Sequence, residues 1–228
     1  MGRNIVVGIE GPVGSGKTSI CREILNRYDN FVLVNGGNIY RAIVYAIMQT
    51  GKTIEEIKTS NINIKEMMDL YNVTIDFENK ETILKLDGEM IKEDDLQSKE
   101  VSMAVSEISG SAKNKELFLF ARDLIDNLKK DKNVLVAGRA LMIIYPDLDY
   151  HIFVTADLAK RIERKCIQYN IDPLSEKGLE IKENVVKRDT LQKEAGYYNL
   201  SEKTIVVDVT DTKSVDESTD KVLEVFRK

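Results

Sequence analysis

Residues 9–19 read Ile-Glu-Gly-Pro-Val-Gly-Ser-Gly-Lys-Thr-Ser, and Gly11 to Thr18 fit the spacing G-x-x-x-x-G-K-[ST] in full. The glycines let the backbone curl so that successive N–H groups point at phosphate oxygens. A helix starting just beyond them adds a partial positive charge. Lys17 is the point charge that bridges phosphates, and the Thr18 hydroxyl is a ligand suited to Mg²⁺. A strand-like run precedes this stretch and a helical pattern, "TSICREILNRY", follows it. That setting makes Gly11, Gly14, Ser15, Gly16, Lys17, Thr18 and Ser19 a set for a nucleoside triphosphate, with Mg²⁺ as cofactor.

A phosphoryl transferase needs a second anion site that holds the acceptor in line with the γ-phosphate. Four cationic groups are candidates. Tyr40 and Arg41 follow the run "FVLVN", Arg139 follows "NVLVA", and Arg161 and Arg164 stand three apart on one helix face after "YHIFV". Lys187 and Arg188 form the fourth. Ligands of open parallel sheets sit beyond the carboxyl ends of the strands, and three of the four groups fall there. The run "AKRIERK" has a blander meaning, a solvated helix face. Asp189 reads as a partner of Arg188 or as a helix-surface charge.

The elements that must position these residues alternate. The runs 4–9, 31–35, 133–137, 150–154 and 204–209 are apolar on both faces, as strands covered by helices on both sides must be. Val101, Ala104, Val105 and Ile108 recur at helical spacing, and so do Leu117, Ala121, Leu124 and Leu128. The order predicts an α/β fold of three layers with a five-stranded parallel sheet and right-handed crossovers. Residues 72–91 break the rhythm with two strand-like runs around Glu78-Asn79-Lys80 and a hairpin signal at Asp87-Gly88. Residues 61–96 are therefore expected to form a small antiparallel subdomain between core segments 1–60 and 97–228.

The 228 residues are 43% hydrophobic and 31% charged, enough for one compact core. The net charge of −5 removes any global field for nucleic acid, so an anion must be held by a local cluster. Two cysteines and one histidine argue against a zinc site or a disulfide framework. His151 reads as a strand histidine, and Cys21 and Cys166 as small buried hydrophobes. The short apolar run at the N-terminus suits neither a signal peptide nor a membrane span, so a soluble, cytoplasmic protein is expected. Nothing in the sequence demands a dimer, and a monomer is expected.

Taken together, "GPVGSGKTS", "GGNIYRA", "DLQSKEVSMAVSEIS", "VAGRALMIIYPDLDYHIFVTADLAKRIERK" and "VVKRDTLQ" resemble the bacterial cytidylate kinases, a family of P-loop nucleoside monophosphate kinases. The likeness runs over nearly the whole length. It implies transfer of the ATP γ-phosphate to CMP or dCMP, and it makes 61–96 an acceptor-binding insertion and residues 156–196 a helical lid. It implies that Arg41, Lys115, Arg139 and Arg188 hold the acceptor phosphate, with Gly36 and Tyr40 beside them. Lys17, Arg139, Arg161 and Arg164 become the catalytic cations, the last two closing over the triphosphate. Glu10 stands where the family has Asp, for the hydration shell of Mg²⁺.

The chain departs from the family pattern at four positions. Gly36 replaces Ser, Ala140 replaces the Asp of Gly-Arg-Asp, Gln192 replaces Asp and Ala195 replaces Arg. The donor half keeps its pattern while the acceptor half does not. This leaves two further readings: a P-loop kinase acting on a different small metabolite, and a non-catalytic nucleotide-binding protein.

Overall fold

A computed structural model describes residues 3–227 apart from 52, 54, 57–63, 109–112, 195 and 199. The side chains of 64, 99, 103, 106–108, 113–117 and 227 also lie outside the description. The chain opens with β1 (Val6–Glu10), α1 (Lys17–Arg27), β2 (Phe31–Asn35) and α2 (Gly36–Gln49). The insertion comprises α3 (Ile64–Leu70), β3 (Val73–Glu78), β4 (Glu81–Leu86) and β5 (Glu89–Met90). It leads into α4 (Glu93–Gln97), α5 (Lys99–Ile108) and α6 (Lys113–Lys129). Then come β6 (Asn133–Ala137), α7 (Leu141–Ile144), β7 (Tyr150–Thr155), α8 (Leu158–Gln168) and α9 (Glu176–Glu194). The chain closes with β8 (Thr204–Asp208), α10 (Val215–Leu223) and a short 3₁₀ turn.

The sheet runs β3-β4-β2-β6-β1-β7-β8, and β5 pairs with β4. Its centre is the expected parallel set of five, β2-β6-β1-β7-β8. Side chains alternate across it with period two. Val6, Val34, Val134 and Val136 face one layer with α2 and the buried Ala104 and Ile125. Val7, Ile9, Leu33 and Leu135 face the other with Ile20, Ile24 and Val222. Cys21 and Cys166 are free and buried, as their sequence context suggests. At β8 the two-sided burial fails, because it is an edge strand that leaves Ile205 and Val206 exposed.

The insertion does not form a sheet of its own. β4 runs parallel beside β2 through the pair Leu33–Glu81, so the β3–β4 hairpin extends the edge of the core sheet. Both of its turns have left-handed residue pairs, Asn79-Lys80 and Asp87-Gly88, the conformation that tight hairpins require. Arg22 of α1 anchors the edge through a 2.9 Å ion pair with Glu81.

Candidate active site

The loop between β1 and α1 owes its path to its glycines. Gly11 has φ of 148° and Gly14 of 79°, regions that other residues rarely adopt. A Cβ on Gly11 would stand 2.0 Å from the Val154 carbonyl oxygen, and one on Gly14 would stand 2.6 Å from that of Arg161. The loop thus lies directly against the end of β7 and the backbone of α8. Gly16 precedes α1 in a left-handed conformation, so Lys17 and Thr18 open the helix facing the cleft. The Lys17 ammonium donates to the Gly11 and Pro12 carbonyls at 2.7 and 2.8 Å, spanning the loop. Burial, with Arg139 and Arg188 adding repulsion, lowers its pKa from 10.5 to about 7. A lysine in that state is completed by an arriving anion.

Opposite the loop, the carboxyl ends of β2 and β6 and the helix α9 deliver Arg41, Arg139 and Arg188 to one cleft of about 840 Å³. Burial, then Arg188 and Arg139, bring the Arg41 pKa down to about 9. Burial and Arg188 bring that of Arg139 down to about 10, and burial lowers that of Arg188. The Arg41 Nε is buried and finds no acceptor among the described residues, and neither does the Tyr40 hydroxyl. A buried guanidinium donor without a partner is costly, and an anion bound in the cleft removes the cost. Among the described residues Arg41 Nη1 reaches only Asn38 Oδ1, at 3.4 Å, which also accepts from Gln97 at 3.3 Å.

Lys165, on α8, completes the cluster and was not singled out from the sequence. Burial, Arg188 and Arg41 lower its pKa to about 8, and its charge in turn bears on Lys17. It lines the same cleft as the donor loop and the acceptor arginines. Its only sequence signal is membership of the run "AKRIERK". Arg164 also lines the cleft, donating to the Val209 carbonyl at 2.8 Å and to Thr212 at 3.1 Å.

Not every expected site residue reaches the cleft. Arg161 is buried off the cleft and donates to Ala156, Val13 and Asp189. Asp189 is accordingly a partner of Arg161 rather than a surface charge. The Glu10 carboxylate is buried against His151 and is not part of the cleft wall. Gln192 is also buried behind the wall, accepting from the Tyr198 hydroxyl at 2.7 Å. Ser15 is buried under the loop, while Ser19 and Gly36 reach the cleft. A Cβ on Gly36 would meet nothing within 4 Å. Ala140 lines the cleft beside Arg139 with φ of 55°. The side chain of Lys115 and residue Ala195 fall outside the described residues.

The sequence profile of the family described as cytidylate kinase matches residues 7–228. The chain belongs to the cytidylate kinase family. It is 28% identical over 234 residues to the cytidylate kinase of Caldicellulosiruptor saccharolyticus, covering 99% of this chain and 97% of that one. It is 27% identical over 232 residues to that of Caldanaerobacter subterraneus subsp. tengcongensis, covering 98% and 95%. Among solved structures it is similar to TT1252 from Thermus thermophilus, at 14% identity and a TM-score of 0.49 over 99% of this chain and 97% of that one. In this member of the cytidylate kinase family, two of the four departures, Gly36 and Ala140, stand on the cleft wall. A third, Gln192, lies behind it.

Mg²⁺ is held in such sites largely by substrate phosphates rather than by a protein cage. The described residues accord with that. They hold no cluster of three acidic, His or Cys side chains, and Thr18 presents a hydroxyl where the loop meets the cleft. Thr18 fits the ion. Glu10, turned to His151, would first have to leave its partner.

Proposed function

We propose that the protein transfers the γ-phosphoryl group of ATP to a pyrimidine nucleoside monophosphate, CMP or dCMP, giving the diphosphate. The observation that carries this reading is the convergence of Arg41, Arg139 and Arg188 opposite the Gly11–Thr18 loop, with the Arg41 Nε buried and unpartnered. One cluster suits the donor's phosphates and the other a phosphate that is already ionised. Positioning and charge compensation then carry the catalysis, and no general base is required.

The loop N–H groups and Lys17 would cradle the triphosphate and the Thr18 hydroxyl would hold Mg²⁺, which when bound would supply charge neutralisation for phosphoryl transfer. Arg41, Arg139 and Arg188 orient the acceptor phosphate. Lys165, which lines the same cleft, would add positive charge where the phosphoryl group moves from one substrate to the other. Arg164 belongs to the lid, residues 156–196, whose closure excludes water and favours transfer over hydrolysis. No helix among the described residues is long and apolar enough to cross a membrane.

Gly36 and Ala140 favour a second reading within the same reaction, a relaxed acceptor preference. A wall without those hydroxyl and carboxylate groups discriminates weakly among bases, because rejection is strong only where a buried polar group is left unpaired. Phosphoryl transfer from ATP to CMP, dCMP, UMP, dUMP and AMP tests both. Turnover of CMP or dCMP is expected, with UMP within about tenfold of CMP in kcat/KM on the weaker reading, a loss of about 1.4 kcal/mol. No transfer to any pyrimidine monophosphate overturns the proposal.

A further inference from the structure

One chain of buried and part-buried hydrogen bonds runs from Val13 of the donor loop to Asp189, the residue next to Arg188. Arg161 donates through Nε to the Ala156 carbonyl at 3.0 Å and through Nη1 to the Val13 carbonyl at 3.0 Å. The same Nη1 meets Asp189 Oδ2 at 2.6 Å. The second carboxylate oxygen, Oδ1, takes the Val13 N–H at 3.4 Å and the Tyr198 hydroxyl at 3.2 Å. The single hydroxyl proton of Tyr198 is shared between Asp189 Oδ1 and Gln192 Oε1, the latter at 2.7 Å, and the ring packs edge-on against Phe153 of β7. Both polar groups of the Val13 peptide are thus held by one ion pair, and Gly14 beside it touches the backbone of α8.

Asp189 is the immediate neighbour of Arg188 on the continuous helix α9. Any shift of Val13 as the loop wraps a triphosphate must pull on Asp189, and α9 carries that pull to Arg188. The guanidinium of Arg161 has the planar fork needed to serve three acceptors on three elements at once. Neutral Gln192 leaves Asp189 as the one carboxylate in this chain of bonds. It satisfies Tyr198 without competing for Arg161.

We propose that Arg161 and Asp189 are a positioning pair that couples occupancy of the triphosphate loop to the setting of Arg188, so that donor and acceptor bind cooperatively. Arg161 then acts through Val13 and Asp189 rather than by touching phosphate. The inference rests on the acceptor reading above for the identity of its probe, and linkage makes the coupling reciprocal.

Calorimetry measures it directly on the full chain. The dissociation constant of CMP is determined alone and with saturating non-hydrolysable ATP analogue plus Mg²⁺, and inorganic sulfate serves as a second, base-independent acceptor-site probe. The wild-type protein is expected to bind the acceptor-site probe at least fivefold more tightly when the analogue is present. Asp189→Asn and Arg161→Lys should bring that ratio below twofold while the analogue alone binds within about threefold of wild type. Tyr198→Phe, which removes only a hydroxyl, should lower the ratio partly and serves if the other two fail to fold. A variant ratio equal to wild type, or a wild-type ratio near one for both probes, overturns the proposal. Coupling seen with sulfate but no CMP binding overturns the nucleotide reading and leaves the positioning pair standing.

Discussion

His151 Nε2 lies 2.6 Å from Glu10 Oε2, a contact buried inside the sheet and joining residues 141 positions apart. The other ring nitrogen of His151 meets Thr204 Oγ1 at 2.8 Å, so the imidazole bridges β1 and β8 from β7. Glu10 directly precedes Gly11, the first residue of the phosphate loop. The histidine therefore fixes the carboxylate at the root of that loop. His151→Phe leaves Glu10 buried without this partner and should cost about 1–3 kcal/mol. His151→Gln, which keeps an amide donor, should lose less. Urea unfolding checks both, and a wild-type midpoint for His151→Phe refutes a structural role.

Lys17 should make triphosphate binding proton-linked. Its pKa in the folded, empty protein is about 7 against 10.5 for the ordinary side chain. Between those values the unfolded chain binds a proton that the folded chain does not, so this group makes stability rise with pH across that window. Lys165, at about 8, adds to the rise above that pH. A bound triphosphate favours the charged ammonium and reverses the effect. At pH 8, binding should take up about one proton, and affinity should fall as pH climbs above 7. Calorimetry in two buffers of different ionisation enthalpy reads the uptake, and identical heats in both rule it out.

The legible parts of this molecule are those where a local requirement dictates residue type. The phosphate loop announces itself because Gly11, Gly14 and Gly16 all have positive φ, and Lys17 must follow at a fixed offset. The hairpin turns are legible for the same reason. Arg41 and Arg139 could be found because each follows a strand, and strand ends of a parallel sheet share one edge. What stayed hidden depends on partners distant in sequence. Nothing near Glu10 tells that β7 will bring His151 beside it, and nothing near Arg161 tells that Asp189 will meet it. Lys165 was lost in a charge run because burial, which separates a site cation from a solvated one, comes only from packing. The pairing of β4 with β2 rests on a single register contact that no hairpin signal encodes.

Arg41 should behave as a group that is a burden until its anion arrives. Its Nε is buried without a partner among the described residues, and burial together with Arg188 and Arg139 lowers its pKa to about 9. Arg41→Ala removes a repelling charge from the empty cleft, so the thermal midpoint without ligand should stay level or rise. The acceptor KM should rise by about 10- to 150-fold, the equivalent of one charged hydrogen bond of about 1.5–3 kcal/mol. Arg41→Lys keeps the charge without the fork and should recover only part of the loss. Phosphate should raise the midpoint of the wild type and not that of Arg41→Ala. An unchanged KM would remove Arg41 from the acceptor site.

Ala140 carries two separable consequences. Its φ of 55° places an L side chain in the left-handed region at the start of α7, beside Arg139 on the cleft wall. Alanine there is strained by roughly 1–2 kcal/mol, which glycine avoids and aspartate tolerates better through local hydrogen bonding. Ala140→Gly should therefore stabilise the protein by about 1 kcal/mol, read by urea unfolding, with little change in acceptor choice. Ala140→Asp should also be tolerated, and it returns a carboxylate to the wall. An acceptor base bearing a donor amino group gains a partner there, whereas one with a carbonyl meets repulsion. The ratio of kcat/KM for CMP over UMP should rise by about tenfold or more, from a charged hydrogen bond of about 1.5–3 kcal/mol. If the ratio is the same in Ala140→Asp and wild type, position 140 does not read the base, and the relaxed preference must come from Gly36 or from the residues beyond it.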